Sequence, residues 1–471
     1  MKGAFKDGHT TSSSKKKRSE MVKDYATAML VLSFSLMVLG SVFRRLNLPP
    51  PLNSTSFTVY PEAAHEKHKP VIRWDPRNSS QHLTSKITCD RSHYHYDTCS
   101  ISGPTSLDPT TSTFYAIGPT WPKNFIEKIR PYPRKWENFT MSKIKEVSLK
   151  PGPRGPVFCN VVHNARALVF SAGGYTGNFF HEFNEGFLPL FITVRSMSLS
   201  DQDVVLVITE AHDWWIRKYV ELLGTFSKYP IVTLDNETGV HCFSSATVGL
   251  VSHGFMTIDP KLMPNPTKLA HFHALLDKAY GQAQRPIAPK STGQPKLVFV
   301  ARTGGVGRVM LNQAQVLNLA QELGFDATVF EPEPNISLRE SYRLISRSHV
   351  MVGVHGAAMT HLLFLRPGSI FIQVVPIGID PIAELCYGHP AKEMGLEYLE
   401  YKVRIEESSL IEKYNTSDPI LTNPMALHKK GWSLLKKVYL KDQNVSVDLP
   451  RFRGYLTVAY TKAKRFMHRV G

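Results

Sequence analysis

VMVGVHGAAMTHLLFLRPGSIFIQVV, residues 350–375, is the stretch from which the fold can be read. Val350–Val354 and Ile370–Val375 are short, unbroken apolar runs, the pattern of strands buried on both faces of a parallel sheet. Between them Ala357–Leu365 has the length of a helix, stopped by Pro367-Gly368. The same alternation extends upstream. Lys296–Val300 and Ala327–Phe330 read as strands, Leu311–Leu323 and Leu338–Ser346 as helices, and Gly324 closes the first of these. Strand and helix in strict turn predict a doubly wound, Rossmann-like domain. A second alternation precedes it: strands at Ala167–Ser171, Val204–Thr209 and Ile231–Leu234, with helices over Asn178–Met197 and Trp214–Phe226. The polar, proline-bearing stretch Gly281–Pro295 reads as the linker between them. The expected fold class is therefore α/β, with two Rossmann-like domains, 86–285 and 286–471, facing a cleft. Arg451–Met467 reads as a final helix that packs back across the first domain.

The N-terminal end has a different character. Tyr25–Phe43 runs for nineteen residues without a charge. As a helix it would rise roughly 28 Å, close to the hydrocarbon thickness of a bilayer. Its apolar core is long for a signal peptide, and Gly40-Ser41-Val42 is a poor cleavage site. Lys15, Lys16, Lys17, Arg18 and Lys23 precede the segment, whereas only Arg44 and Arg45 follow closely. That bias predicts a cytosolic tail over 1–24, a single membrane anchor at 25–43 and a lumenal remainder, in type II orientation. Residues 44–85, rich in Pro, Ser, Thr, Asn and His, read as a stem. Glycosylation sequons at Asn53, Asn78, Asn138, Asn236, Asn335, Asn415 and Asn444 all fall on the lumenal side. The five cysteines, Cys89, Cys99, Cys159, Cys242 and Cys386, form no metal-binding spacing. In an oxidising lumen Cys89 and Cys99 are candidates for a disulfide, and an odd total leaves at least one thiol free or bonded to another chain.

The chain has 471 residues, too many for a single core, and 42% of them are hydrophobic, which excludes a disordered chain and a multispan membrane protein. Its formal net charge is +17. No nucleic-acid-binding motif accompanies that charge, so no nucleic-acid partner is expected. Nucleotide-sugar pyrophosphates and anionic polysaccharides are the acidic partners a lumen offers, and a generally basic surface is the plainer alternative.

In open parallel sheets ligands bind beyond the carboxyl ends of the strands. Lys296–Val300 runs into Ala301-Arg302-Thr303-Gly304-Gly305-Val306-Gly307-Arg308. Its glycines admit close approach to the backbone, and Arg302 and Arg308 offer forked donors matched to phosphate oxygens; a flexible surface turn is the alternative. Val350–Val354 runs into His355-Gly356-Ala357-Ala358, where small residues let an anion reach a helix N-terminus. Glu331, after the next strand, can accept from a ribose or cap the following turn. In the first half His181 and Glu185 are four residues apart, hence on one helical face, where a carboxylate orients an imidazole as a general base needs; an exposed helical pair is the alternative. Asp201-Gln202-Asp203 has the form of a metal–diphosphate motif but lies before a strand, at the wrong end for a ligand.

Taken together, these residues resemble plant glycosyltransferases of family 61, in the grass-expanded group of xylan arabinosyl- and xylosyltransferases. The resemblance covers roughly Cys89 to the C-terminus. It is strongest over VGVHGAAMTHLLFLRPGSIFIQVVP (Val352–Pro376), with further likeness in Gly177–Thr193, Trp214–Gly224, Thr247–Pro260 and Gly395–Leu410. It implies a Golgi-membrane type II enzyme with a GT-B fold that transfers a pentose from a UDP-sugar to xylan with inversion and without metal or other cofactor. Arabinofuranose ranks before xylose as the sugar. It also implies His181 and Glu185 as the catalytic pair, Arg302, Arg308 and the His355-Gly356-Ala357-Ala358 turn at the donor diphosphate, and company with other xylan-synthesis enzymes. Transfer to protein N-glycans and a non-catalytic scaffold of a xylan-synthesis complex are the competing readings. The chain departs from the family at Ala301, in the length of the loop before Arg308, and at Pro381 and Cys386, which bear on sugar and acceptor specificity.

Overall fold

The apolar runs of the second half are parallel strands in a five-stranded sheet, ordered Asp326–Phe330, Lys296–Val300, Val350–Val354, Ile370–Val375 and Glu397–Lys402. Every residue of Val350–Val354 and Ile370–Val375 is buried, which is why neither run tolerates a polar interruption beyond Gln373. The chain starts in the interior of this sheet, steps outward once, and returns past its first strand. The crevice between Lys296–Val300 and Val350–Val354 is therefore the point where strand order reverses, the place where such sheets bind ligands.

A six-stranded sheet in the first half repeats the theme. Val232–Thr233, Val204–Thr209, Arg166–Ser171 and Ala246–Val248 are parallel, and an antiparallel hairpin, Thr98–Ser102 with Lys86–Asp90, extends the edge. A mixed six-stranded sheet of short strands, among them Val147–Pro151 and His241–Phe243, accompanies it. The computed structural model describes residues 72–74, 85–118, 124–152, 157–197, 203–281, 293–333 and 336–470. The anchor expected at Tyr25–Phe43, most of the stem, most of the linker and the sequons at Asn53, Asn78 and Asn335 lie outside the described residues. Among the described residues no helix is long and apolar enough to cross a membrane. Within the range read as stem, Ile72–Trp74 pairs antiparallel with Val157–Cys159 of the body.

One apolar cluster runs through both halves. It joins Phe170, Phe183 and Trp215 to Tyr342, Phe364 and Phe371, with the helix Leu269–Tyr280 between them. A second cluster fills the other face of the five-stranded sheet. The C-terminal helix, Leu449–Val470, contributes Phe452, Leu456, Ala459 and Ala463 to that second cluster. It packs on its own half, against Ile370–Val375 and Glu397–Lys402, and not across the first domain as expected. Its apolar stripe matches the apolar sheet face nearest in sequence.

Other elements depart from the reading in detail. Asn178–Met197 is not one α-helix: a short α segment, Phe179–His181, gives way to a π-helical turn, Glu182–Phe187, before Leu188–Ser196 resumes as α. Ala357–Phe364 is a 3-10 helix. Cys89 and Cys99, directly opposite in their hairpin, are bonded, and so are Cys159 and Cys242; Cys386 is a buried free thiol. Asn138, Asn236 and Asn415 are exposed, whereas Asn444 is half-buried and its side-chain oxygen accepts from the Val309 N–H at 3.0 Å.

Candidate active site

Arg302 and Arg308 follow the first strand of the five-stranded sheet, and His355-Gly356 follows the third, so the topology brings the three together. Gly356 is what lets them meet. A side chain there would collide with Arg302 Nη1 and crowd Arg308 Nη1. Gly307 turns the loop with φ +68°, and a side chain at that position would strike the Lys441 carbonyl. Arg308 itself is held in the left-handed region at φ 57°, at a cost of order 1 kcal/mol. Its Nε donates to the Leu440 carbonyl at 2.9 Å and its Nη1 to the His355 carbonyl at 3.0 Å.

Both guanidiniums are largely out of solvent. Burial, and for Arg308 the charge of Arg302, lowers both from the usual arginine range, Arg308 to about 10. No carboxylate pairs with them among the described residues, and the neighbouring Tyr387 is a phenol that burial keeps protonated. Two adjacent, largely covered cations without a counter-charge are costly unless a ligand supplies it. A group with two negative charges and several acceptor oxygens fits that vacancy of charge.

His355 contributes its backbone, not its ring. The imidazole is buried and accepts at Nδ1 from the Gln373 side-chain amide at 2.9 Å, while Tyr398 donates to the same amide's oxygen at 2.8 Å. Burial and the two arginines hold it far below the ordinary histidine range, so it stays neutral. Ala357 and Ala358 open onto a cleft of about 1140 Å³. Glu331 is half-buried and accepts from the Thr303 hydroxyl at the rim of the arginine loop.

His181 and Glu185 form the second cluster. His181 Nδ1 lies 2.9 Å from Glu185 Oε2. The other carboxylate oxygen accepts from Arg134 Nη1 and from the Asn184 amide, each at 2.7 Å. With a carboxylate facing it, Nδ1 carries the proton and Nε2 keeps its lone pair. The π-helical turn places Glu185 inward at 1% exposure while His181 keeps a fifth of its side chain accessible. The His181 ring stacks on Tyr175, which lines the cleft, at 4.4 Å. Phe180 ties the two clusters together. It packs edge-on against His181 at 5.3 Å and against Tyr387 at 5.7 Å, and the Tyr387 hydroxyl donates to the Gly356 carbonyl at 2.8 Å.

Several of these residues carry no local signal in the sequence. Arg134 comes from a loop 51 residues before Glu185. Asn184, next to Glu185, is recruited because its side-chain oxygen also accepts from the Met256 N–H at 2.7 Å. Glu182 accepts from Gly177 N–H at 2.8 Å and Trp215 Nε1 at 2.6 Å, fastening the π-helical turn to the helix Asp213–Phe226; burial raises its carboxyl. Trp214 and Lys218 line the cleft from that helix at a spacing of four, which the sequence did display. Asp203 is bound to Lys228 and Tyr229 at the amino end of its strand; Asp201 and Gln202 lie outside the described residues. Of the departures from the family pattern, Pro381 lies in the first turn of the short helix Asp380–Ala383, and Cys386 is buried, its thiol pushed up to about 12 by burial and then by the charge of Glu185.

A model of the glycosyltransferase 61 family matches residues 177–372, a span that contains both clusters. The chain is 42% identical over 402 residues to a xylan glycosyltransferase, MUCI21, of Arabidopsis thaliana, with 80% of each chain covered. It is 32% identical over 389 residues to an α-1,3-arabinosyltransferase, XAT2, of Oryza sativa subsp. japonica, covering 81% of this chain and 65% of the relative. To a β-1,2-xylosyltransferase of the same plant, XYXT1, it is 33% identical over 396 residues, covering 79% of this chain and 83% of the relative.

Proposed function

The chain belongs to glycosyltransferase family 61, and from that premise we propose that it transfers a pentose from a UDP-sugar onto xylan, with inversion, in the Golgi lumen. The observation that carries the reading is the half-buried pair Arg302–Arg308, which no carboxylate compensates among the described residues, together with an oriented histidine–carboxylate pair. The diphosphate of the donor supplies the missing negative charge, bound by the arginine forks at the point where strand order reverses. His181 Nε2 takes the proton of the acceptor hydroxyl, and the resulting oxygen attacks the anomeric carbon from the face opposite the leaving UDP. Glu185, fixed by Arg134 and Asn184, holds the His181 ring and stabilises its charge as the proton arrives. The two guanidiniums receive the charge that develops on the departing phosphate, a role that needs no bound metal. The runs of parallel strands in both halves and the cleft support a GT-B arrangement, and the expected anchor at Tyr25–Phe43 supports the type II Golgi placement.

The named relatives act with arabinose and with xylose. Both are pentoses, but xylopyranose has no exocyclic carbon whereas arabinofuranose carries C5 outside a five-membered ring, so ring size and that hydroxymethyl group are what a pocket would use to separate them. Arabinofuranose remains the first choice. Purified enzyme is to be incubated with xylohexaose and each UDP-pentose, and the product linkage located by mass spectrometry and NMR. A pentosylated xylohexaose is the expected product. Faster transfer from UDP-xylose reverses the ranking of sugars, and transfer to a mannose-containing N-glycan core with none to xylan overturns the assignment.

A further inference from the structure

The hairpin at the edge of the first sheet ends in a loop, residues 91–97, reading Arg-Ser-His-Tyr-His-Tyr-Asp. Its strands are joined directly across by Cys89–Cys99, so the loop starts from fixed ends. A second loop, around Lys135, fastens its tip. The Lys135 N–H donates to the His95 carbonyl at 3.0 Å, and its ammonium donates to the His93 carbonyl at 3.3 Å and pairs with Asp97 at 2.7 Å. The loop is thereby held as rigidly as the sheet that carries it.

The two loops present a ladder of flat groups. Tyr94 and Trp136 stack with ring centres 5.7 Å apart and planes 10° from parallel. Arg134 lies 5.0 Å over Trp136 and 5.0 Å over Tyr175, and Tyr175 stacks on His181 at 4.4 Å. Phe255 flanks Trp136 at 6.1 Å; the next residue, Met256, is hydrogen-bonded to Asn184 beside Glu185. The ladder thus ends on His181 by a route through Tyr175, separate from the Phe180–Tyr387 route to the arginine pair. At its far end Tyr94 is 67% exposed. Stacking on Trp136 covers one face of Tyr94 and leaves most of the ring in solvent, so burial, the main stabilisation of such a ring, contributes little here.

We infer that this ladder props up the exposed face of Tyr94 as a platform on which one neutral pyranose ring of the acceptor glycan stacks, the glycan running from there toward His181. The inference rests on the proposed transferase reading. The chemistry fits the ligand class. An aromatic face carries negative potential and attracts the C–H-rich face of a sugar ring, while the neighbouring histidines and carbonyls suit its hydroxyls. A chain of uncharged sugars also matches a surface whose stacked members are mostly rings, with its one guanidinium already paired to Glu137 and Glu185.

The test is titration of the full-length enzyme, saturated with UDP, with xylobiose and xylohexaose, for the wild type, Tyr94→Ala and Tyr94→Phe. Tyr94→Ala is expected to weaken xylohexaose binding roughly three- to ten-fold, the scale of one aromatic contact, and xylobiose much less. Tyr94→Phe should restore it, and the affinity for UDP should be the same in all three. Equal xylohexaose affinity in wild type and Tyr94→Ala overturns the inference, as does a loss that extends equally to UDP. Manno- and gluco-oligosaccharides are titrated in parallel. If the wild type fails to transfer to xylan but binds one of these through Tyr94, the subsite stands and the xylan reading falls. If no neutral oligosaccharide binds, or a proline-rich peptide binds in their place, the subsite falls.

Discussion

Arg308 sits in the left-handed region, its Nε and Nη1 each tied to a carbonyl, with no carboxylate among the described residues to answer its charge. On the proposed reading, the charge left over is the donor diphosphate's to meet. Arg308→Ala is expected to weaken UDP binding by about 1.5–3 kcal/mol, the range for hydrogen bonds to charged groups, as read by calorimetry. Arg308→Lys should recover only part of this, because an ammonium cannot reproduce the fork. His181 makes the complementary case. His181→Ala should lower kcat by roughly 10²- to 10⁴-fold while leaving UDP affinity in place, and unaltered turnover would remove it as the base. Arg302, Arg308 and His181 were legible because each follows a strand or opens a helix at the sheet end where ligands gather. Arg134 was not. It anchors Glu185 from a loop whose only distinction is its place in space, and no spacing rule reaches across that distance. His355 shows the opposite difficulty: its position draws attention to the turn, while its ring is spent on Gln373.

At the level of elements, the buried strands were the clearest part of the sequence. Val204–Thr209, Val350–Val354 and Ile370–Val375 occur with the bounds their apolar runs implied, since a strand covered on both faces has no polar residue to blur its ends. Glu397–Lys402 escaped notice because, as an edge strand, it carries two glutamates and a lysine. The mixed sheet escaped because its strands are three to five residues long. The π-helical turn has no compositional mark at all; it is a choice of hydrogen bonds made once Glu182 and Glu185 find partners. The second disulfide joins Val157–Cys159 to His241–Phe243 across 83 residues. Replacing both Cys159 and Cys242 by serine is expected to cost about 2–5 kcal/mol of stability in denaturant titration, because a loop of that length is freed in the unfolded chain. No change in midpoint would show the link to be dispensable.

Taken as a whole, the molecule is expected to lose stability in acid. His361 is buried among both halves, and burial holds it at about 4, well under its unfolded value near 6.5. Below pH 6.5 the unfolded chain therefore binds a proton the folded chain refuses. Stability from this residue is complete above pH 6.5 and is lost as pH falls toward 4, by about 3 kcal/mol. His163 and His349, also held near 4 chiefly by burial, act in the same direction. The melting temperature should fall steadily between pH 6.5 and 4.5, and a flat profile would contradict the burial of these rings. The arginine pair has a further consequence, in time rather than in energy. Guanidiniums that wait uncompensated for a diphosphate attract it as strongly after the sugar has gone as before. On the proposed reaction, the spent nucleotide then leaves slowly, and departure, not bond making, sets the pace. Rapid-quench kinetics should show a first turnover faster than those that follow, and a phosphatase that destroys free UDP should sustain the later rate by preventing its return. An enzyme built this way depends on its surroundings to clear what it releases.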